Sequence, residues 1–178
     1  CCAGLRDASL AGLPLERLEA GVLAMFQAEW RAQRGDAPLR SVAIIDDEPD
    51  AQYLAPEFAL FRRLFADAGL DAQIADARAL EWRDGGLWHA GQKIDLVYNR
   101  LVDFHLEAPE HAALRGAYAA GDVVLTPHPH AHALYADKRN LVLLSDPDRL
   151  AGLGVAPDLC AGLKAGIPAT VRVSLERA

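Results

Sequence analysis

Three histidines stand at alternating positions in one short stretch of the chain, at His128, His130 and His132. Alternating side chains of an extended segment point to the same side, and imidazole is a frequent metal ligand. A carboxylate such as Asp46 or Asp103 could complete a metal set. Two prolines in this stretch make strand geometry unreliable, so we favour a polar loop that leads into a helix, with His132 near the helix start.

A second polar group follows the apolar run at residues 94–98 and contains Asn99, Arg100 and Asp103. The guanidinium of Arg100 is a planar fork of donors that suits a carboxylate or a phosphate, and Asp103 could orient it. The alternative is a structural Arg–Asp ion pair that closes the end of the sheet. Both interpretations stay open at this point.

A third group consists of the acids Asp46, Asp47 and Glu48, which follow another apolar run. Neighbouring carboxylates can bind Mg²⁺, and repulsion between them can raise the pKa of one. Because acidic turns are common, we favour a solvated turn.

Two cations and an amide lie together at Lys138, Arg139 and Asn140. Lys138 or Arg139 could contact a phosphate, the lysine as a point charge and the arginine as a fork. The alternative is a solvated helix face, which the spacing alone favours.

Three common catalytic signatures are absent from the sequence. There is no G-x-x-x-x-G-K-[ST] phosphate loop, no G-x-G-x-x-G after a strand and no G-x-S-x-G nucleophile elbow. Standard dinucleotide binding and serine hydrolysis are therefore unsupported.

The composition indicates a globular protein, and the partner that we expect for it is a small-molecule substrate. The 178 residues are 52% hydrophobic, and a net charge of −7 argues against nucleic-acid and anionic-membrane partners. No run reaches the roughly 18 apolar residues of a membrane-spanning helix. Of the three cysteines, Cys1 and Cys2 are adjacent and no C-x-x-C pair exists, so we expect free thiols and a cytoplasmic location.

These polar groups must be positioned by the elements that the apolar pattern predicts. Helical periodicity predicts helices in residues 13–34, 56–68, 109–120 and 132–144, and a further short helix after residues 145–147. Short apolar runs predict strands at 41–45, 72–75, 94–98, 123–125 and 171–173, and residues 80–92 predict a small hairpin. Alternating strands and helices predict an α/β, Rossmann-like fold, with a mostly parallel sheet and helices on both faces.

The carboxyl ends of parallel strands meet at one edge of the sheet, and ligands of such folds bind beyond that edge. Residues 46–49, 99–103 and 126–132 should converge there. This convergence is the main argument from the residues for a ligand site.

Three segments together carry a family resemblance: VYNRLVDF (97–104), VVLTPHP (123–129) and HALYADKRN (132–140). They resemble bacterial ATP-grasp-like proteins that are similar to the circularly permuted ATP-grasp and glutathionylspermidine-synthase-like families. The resemblance runs from about Ser41 to the end of the chain. It implies a pre-ATP-grasp domain, with Asp137 and Lys138 at the junction to an ATP-clamping lobe and residues 166–168 turning into that lobe.

The resemblance also implies an activity, which is the ATP-dependent joining of a carboxylate to an amine or thiol through an acyl phosphate, with Mg²⁺ countering the phosphate charge. The phosphate-binding lysine, the glycine-rich loop and the metal-binding acids would lie beyond Ala178, so we expect neither ATP nor Mg²⁺ on this chain alone. The expected substrate- or nucleotide-binding residues are Asn99, Arg100, Asp103, His128, Lys138 and Asn140.

The predicted organisation is a helical segment at 1–38, a Rossmann-like domain at 39–150, and a linker with the first strand of a following domain at 151–178. The start at Cys1 and the end just after an apparent strand suggest an inactive piece of a larger protein. The first function hypothesis is the substrate-side portion of an ATP-grasp-like ligase. The alternatives are a non-catalytic α/β interaction or regulatory module, and a metal-dependent hydrolase that uses His128, His130 and His132.

Overall fold

A computed structural model of the chain describes residues 15–173. These residues divide into two compact units, one ending at His128 and the other beginning at Pro129. The predictions for Cys1 and Cys2 lie outside the described residues, as do those for residues 174–178. The three-part division at residues 38 and 150 stays a prediction.

The first unit is an α/β fold, as predicted. Its four main strands form a parallel sheet in the order β2-β1-β6-β7, and three short strands form an antiparallel sheet in the order β3-β4-β5. The strands are β1 (Ser41–Asp46), β2 (Asp71–Asp76), β3 (Glu81–Arg83), β4 (Gly86–His89), β5 (Gln92–Ile94), β6 (Leu96–Asn99) and β7 (Val124–Thr126). The helices are α1 (Leu15–Arg34), α2 (Ala55–Asp67) and α3 (Ala112–Ala120).

The parallel sheet is covered on both faces, because consecutive strand residues point to opposite sides and every residue of β1 is buried. On one face Ile44 packs in a cluster with Phe26 of α1 and Phe65 of α2. On the other face Ile45 packs in a cluster with Leu114 of α3 and residues of the small sheet. The predicted helices on both faces are thus confirmed. No helix in residues 15–173 is both long enough and apolar enough to cross a membrane.

The predicted strand at 94–98 is wrong in its bounds. Ile94 pairs with Leu87 in the small sheet, and β6 begins only at Leu96. Between them, the Asp95 carboxylate accepts hydrogen bonds from the backbone N–H groups of Arg40 and Ser41, at 2.9 and 3.2 Å. Apart from Asp95, residues 94–98 are apolar, so the sequence pattern does not show this change of sheet. The predicted hairpin in residues 80–92 is confirmed and gains β5 as a third strand.

The small sheet is seated on α3 through Trp82, whose indole N–H donates to Asp122 Oδ2 at 2.8 Å. A Cβ at Gly116 of α3 would lie 2.6 Å from Cζ3 of this ring. Alanine normally stabilises a helix interior by about 1 kcal/mol relative to glycine. We expect Gly116→Ala to reverse that sign and cost about 1 kcal/mol, because the ring must move. Urea unfolding followed by tryptophan fluorescence measures this.

The matched control is Gly162→Ala, since nothing lies within 4 Å of a Cβ at that helical position. This variant should be as stable as the unchanged protein or slightly more stable. Stabilisation of similar size by both substitutions would show that the Trp82 ring does not restrict Gly116.

Two predictions fail in the second unit. Its described residues, 129–173, form four helices, which are α4 (Pro129–Tyr135), α5 (Asn140–Leu144), α6 (Pro147–Gly152) and α7 (Pro157–Gly166). The predicted polar loop is confined to residues 127 and 128, and the predicted helix at 132–144 is divided into α4 and α5. The backbone N–H of the first residue of a helix has no partner within the helix, so a proline there loses no hydrogen bond. Accordingly, α4 begins at Pro129. The Asp137 carboxylate accepts from the backbone N–H of Arg139 at 2.8 Å, which forms a turn and ends the helical run.

The last described residues also differ from their prediction. Residues 171–173 form no strand, and Val171 and Val173 are exposed. A strand needs a neighbouring strand for its backbone groups, and none pairs with them among the described residues. The predicted linker contains α7, where the Cys160 thiol is buried and free.

Candidate functional site

The strand order of the parallel sheet reverses between β1 and β6, because β2 lies outside β1 and β7 lies outside β6. Crevices at such points of parallel sheets are where ligands of these folds bind. The backbone N–H of Arg100 donates to Ile45 O at 2.9 Å, which joins the carboxyl ends of the two strands. We call this edge of the sheet, with the loops that follow β1, β6 and β7, the carboxyl edge.

Asn99 ties two loops of the carboxyl edge together. Its side chain is buried, its Oδ1 accepts from the backbone N–H of Leu101 at 3.1 Å, and its Nδ2 donates to Pro127 O at 3.2 Å. Both ends of the amide are therefore engaged by the protein. Asn99 positions the loops after β6 and β7.

Arg100 lies at the same edge with its side chain 24% exposed. Nη1 donates to the Tyr98 hydroxyl at 3.0 Å, and Nη2 lies 3.4 Å from Glu57 Oε1 in the first turn of α2. The predicted pairing of Arg100 with Asp103 is wrong. The sequence did not reveal Glu57, because the pairing joins two elements that only the packing of α2 on the sheet brings together.

Asp103 instead contacts His111, which the sequence argument missed. The His111 ring is 2% exposed and lies between two carboxylates, with Nδ1 2.8 Å from Asp103 Oδ2 and Nε2 3.0 Å from Asp47 Oδ1. An ionised carboxylate only accepts hydrogen bonds, so a ring bonded to two of them has to donate from both nitrogens. His111 is therefore an imidazolium that joins the loop after β1 to the loop after β6.

The electrostatics of this group agree with its geometry. Burial tends to lower the pKa of His111, but the hydrogen bonds to Asp47 and Asp103 outweigh it and raise the pKa above the usual 6.5. Burial likewise tends to raise the pKa of Asp103, but hydrogen bonds from the Ala108 backbone N–H and from His111 lower it to about 2. We call Asp47, His111 and Asp103 the carboxylate–histidine bridge.

The carboxylate–histidine bridge predicts a defined pH dependence of stability. A histidine whose pKa is raised on folding stabilises fully below its unfolded pKa of about 6.5 and less as pH rises through its folded pKa. Asp103, whose pKa is lowered to about 2 in the folded protein, stabilises the fold fully at pH values above its ordinary pKa of 3.8. On the order of 1–2 kcal/mol of this stabilisation is lost as the pH falls from 3.8 to about 2. We expect the contribution of the bridge to be largest between about pH 4 and 6.5.

Urea unfolding at a series of pH values measures this dependence, with His111→Gln as the comparison. The difference in unfolding free energy between the two proteins should shrink above about pH 6.5 and again towards pH 2. A difference that stays constant from pH 4 to 9 would contradict a charged His111.

The three acids Asp46, Asp47 and Glu48, at and just after the end of β1, differ in their surroundings. Asp46 is only 8% exposed, and burial raises its pKa although the backbone N–H of Asp47 donates to its Oδ1 at 2.9 Å. Glu48 is exposed, has a φ of 45° and pairs with Arg78 at 3.1 Å. The solvated-turn interpretation therefore describes Glu48 and is wrong for Asp46.

The three histidines of the run belong to different units. The His128 ring stacks on Tyr118 at a centroid distance of 6.0 Å, whereas His130 and His132 lie on α4 of the second unit. Across residues 15–173, no three His, Cys, Asp or Glu side chains form a group that could hold a metal ion.

Lys138 and Asn140 belong to the second unit, while Asn99, Arg100, Asp103 and His128 belong to the first. Lys138 is exposed between α4 and α5. Asn140 Nδ2 donates to Leu134 O at 2.9 Å and so caps the end of α4.

Comparison with known proteins adds no functional assignment. Neither the protein-family models nor the curated proteins that were searched contain a match to this chain. The functional argument therefore depends on the carboxyl edge and its side chains.

Proposed function

We propose that this chain is the substrate-side part of an ATP-grasp-like ligase, which joins a carboxylate to an amine or thiol at the expense of ATP. In this proposal the carboxyl edge of the sheet binds a small polar substrate. The observation that carries it is the position of Arg100. Its half-buried guanidinium lies at the carboxyl edge, where the strand order reverses between β1 and β6. The resemblance of the segments around Arg100, His128 and Lys138 supplies the reaction class.

The residues of the carboxyl edge have separate roles in this proposal. Arg100 binds an anionic group of the substrate, because a guanidinium offers several N–H donors in a fixed plane. Asn99 and the carboxylate–histidine bridge hold the three loops in place, because their polar atoms are engaged by one another and by backbone groups. Such positioning is what a ligase needs to bring a carboxylate to its reaction partner.

The described residues do not by themselves fit ATP and Mg²⁺. No group of three metal-ligating side chains forms among residues 15–173, and the sequence has no phosphate loop. The proposal therefore assigns nucleotide and metal to the whole protein, where they would supply the activating phosphate. It gives this chain substrate binding through Arg100 and a phosphate contact through Lys138.

The experiment measures binding of ATP with Mg²⁺ to the whole protein by calorimetry. Lys138→Ala is expected to weaken it by about ten-fold or more, because a charge-assisted contact to an anion is lost. Arg100→Ala is expected to leave it unchanged, because Arg100 binds the substrate and not the nucleotide. Arg63→Ala is the control, since Arg63 pairs with Asp67 on the exposed side of α2. Unchanged affinity in Lys138→Ala would remove Lys138 from nucleotide binding, and weakened affinity in Arg100→Ala would contradict its assignment to the substrate.

The same preparation separates the alternatives. A whole protein that binds no nucleotide and releases no ADP with any carboxylate and amine or thiol tested would favour a non-catalytic module. Stoichiometric zinc, manganese or iron in the purified protein, bound in a form that His128→Ala abolishes, would favour the hydrolase.

A further inference from the structure

We infer that Arg100 is the receptor for a carboxylate group of the substrate and that Glu57 holds the place of this carboxylate until the ligand displaces it. The inference deepens the proposed function and rests on it. It adds a ligand class, a carboxylate, and a residue that competes for the same guanidinium, Glu57.

The first argument is the incomplete pairing of the Arg100 guanidinium. Nη1 is held by the Tyr98 hydroxyl at 3.0 Å, while Glu57 approaches Nη2 at 3.4 Å with one oxygen. The Nε atom is buried and has no hydrogen-bond partner among residues 15–173. A carboxylate bound in the fork geometry would contact Nε and Nη2 together. Glu57 leaves one of these two donors unused.

The second argument is that leaving a buried donor without a partner is costly, so the arrangement gains when both donors are filled. The Arg100 guanidinium carbon lies 5.3 Å from the centre of the Tyr98 ring and 5.8 Å from that of Phe58. Aromatic rings on this scale hold a guanidinium in place and reduce its contact with water, which strengthens its attraction to an incoming anion.

The third argument is that Glu57 is able to leave. Its side chain is 34% exposed and lies in the first turn of α2, where the helix dipole stabilises a carboxylate even without its arginine partner. Exposed and half-exposed ion pairs contribute little to stability, so a ligand can displace this one. A carboxylate that bonds to both Nε and Nη2 takes the place that Glu57 now occupies beside Nη2.

The experiment titrates the whole protein with sodium acetate and, separately, with inorganic phosphate, while the Nε–Hε NMR signal of Arg100 is followed. In Glu57→Gln the intramolecular competitor is neutral. The apparent Kd for acetate should fall by about five-fold, the factor that a partly exposed ion pair commonly contributes. The apparent Kd for phosphate should fall by a smaller factor than that for acetate. Asp67→Asn is the matched control, because it frees Arg63 on the same helix without creating a site.

An acetate Kd that is the same in Glu57→Gln and the unchanged protein would overturn the exchange, as would an equal gain in Asp67→Asn. A larger gain for phosphate than for acetate would overturn the carboxylate class and make Arg100 a phosphate ligand. The result is independent of ATP turnover. Acetate exchange without nucleotide binding would therefore reject the ligase proposal alone, and nucleotide binding without acetate exchange would reject this inference alone.

Discussion

Replacement of His111 by alanine should lower the free energy of unfolding by about 3 kcal/mol at pH 6. The ring is almost fully buried, and it donates to Asp47 and to Asp103. Its removal leaves two carboxylates facing one another without the cation between them. Breaking a fully buried ion pair commonly costs about 3–5 kcal/mol, and the partial exposure of both aspartates places this case at the lower end. Urea unfolding at pH 6 measures the change.

Two further variants make the His111 result interpretable. His105→Ala changes an exposed histidine of the same loop and should alter stability by less than about 0.5 kcal/mol. A double-mutant cycle between His111→Ala and Asp103→Asn should show coupling of at least about 1 kcal/mol, since the two side chains bond directly. A loss below 1 kcal/mol in His111→Ala, or additive effects in the cycle, would mean that the bridge does not hold the carboxyl edge together.

Phe26→Ala is expected to destabilise the protein by about 3–5 kcal/mol, the usual cost of truncating a buried phenylalanine. The Phe26 ring is 1% exposed and lies edge-on to Phe65 at 5.0 Å and to Tyr98 at 5.1 Å between ring centres. Because Tyr98 also accepts a hydrogen bond from Arg100, the substitution should broaden the Nε–Hε signal of Arg100 as well. Urea unfolding and the NMR spectrum measure the two effects.

Met25→Ala is the control for Phe26, because Met25 is the preceding residue of α1 and is 56% exposed. It should change the unfolding free energy by less than about 0.5 kcal/mol. A similar small loss in Phe26→Ala would show that α1 is a detachable segment, as the predicted boundary at residue 38 implies. A large loss would make α1 part of the sheet domain's core.

The sequence by itself determined the α/β architecture and the place where a site can form. In β1, residues of both faces are apolar, a pattern that requires a sheet covered on both sides. Gly69 and Gly121, which follow the ends of α2 and α3, have φ of 82° and 74°, which other residues rarely adopt. Because parallel strands share their carboxyl edge, the convergence of Asn99 and Arg100 with the loop after β1 followed from the order of elements alone.

Only the tertiary structure decided which polar side chains meet. His111 Nε2 and Asp47 are 64 positions apart in the chain, and nothing in their spacing connects them. The partner of Arg100 proved to be Glu57 of α2, although Asp103 is closer in sequence. The division between β5 and β6 and the break between α4 and α5 were likewise set by polar contacts of Asp95 and Asp137. Periodicity reports which face of an element is buried, whereas hydrogen bonds and ion pairs depend on distances that exist only after the elements have packed.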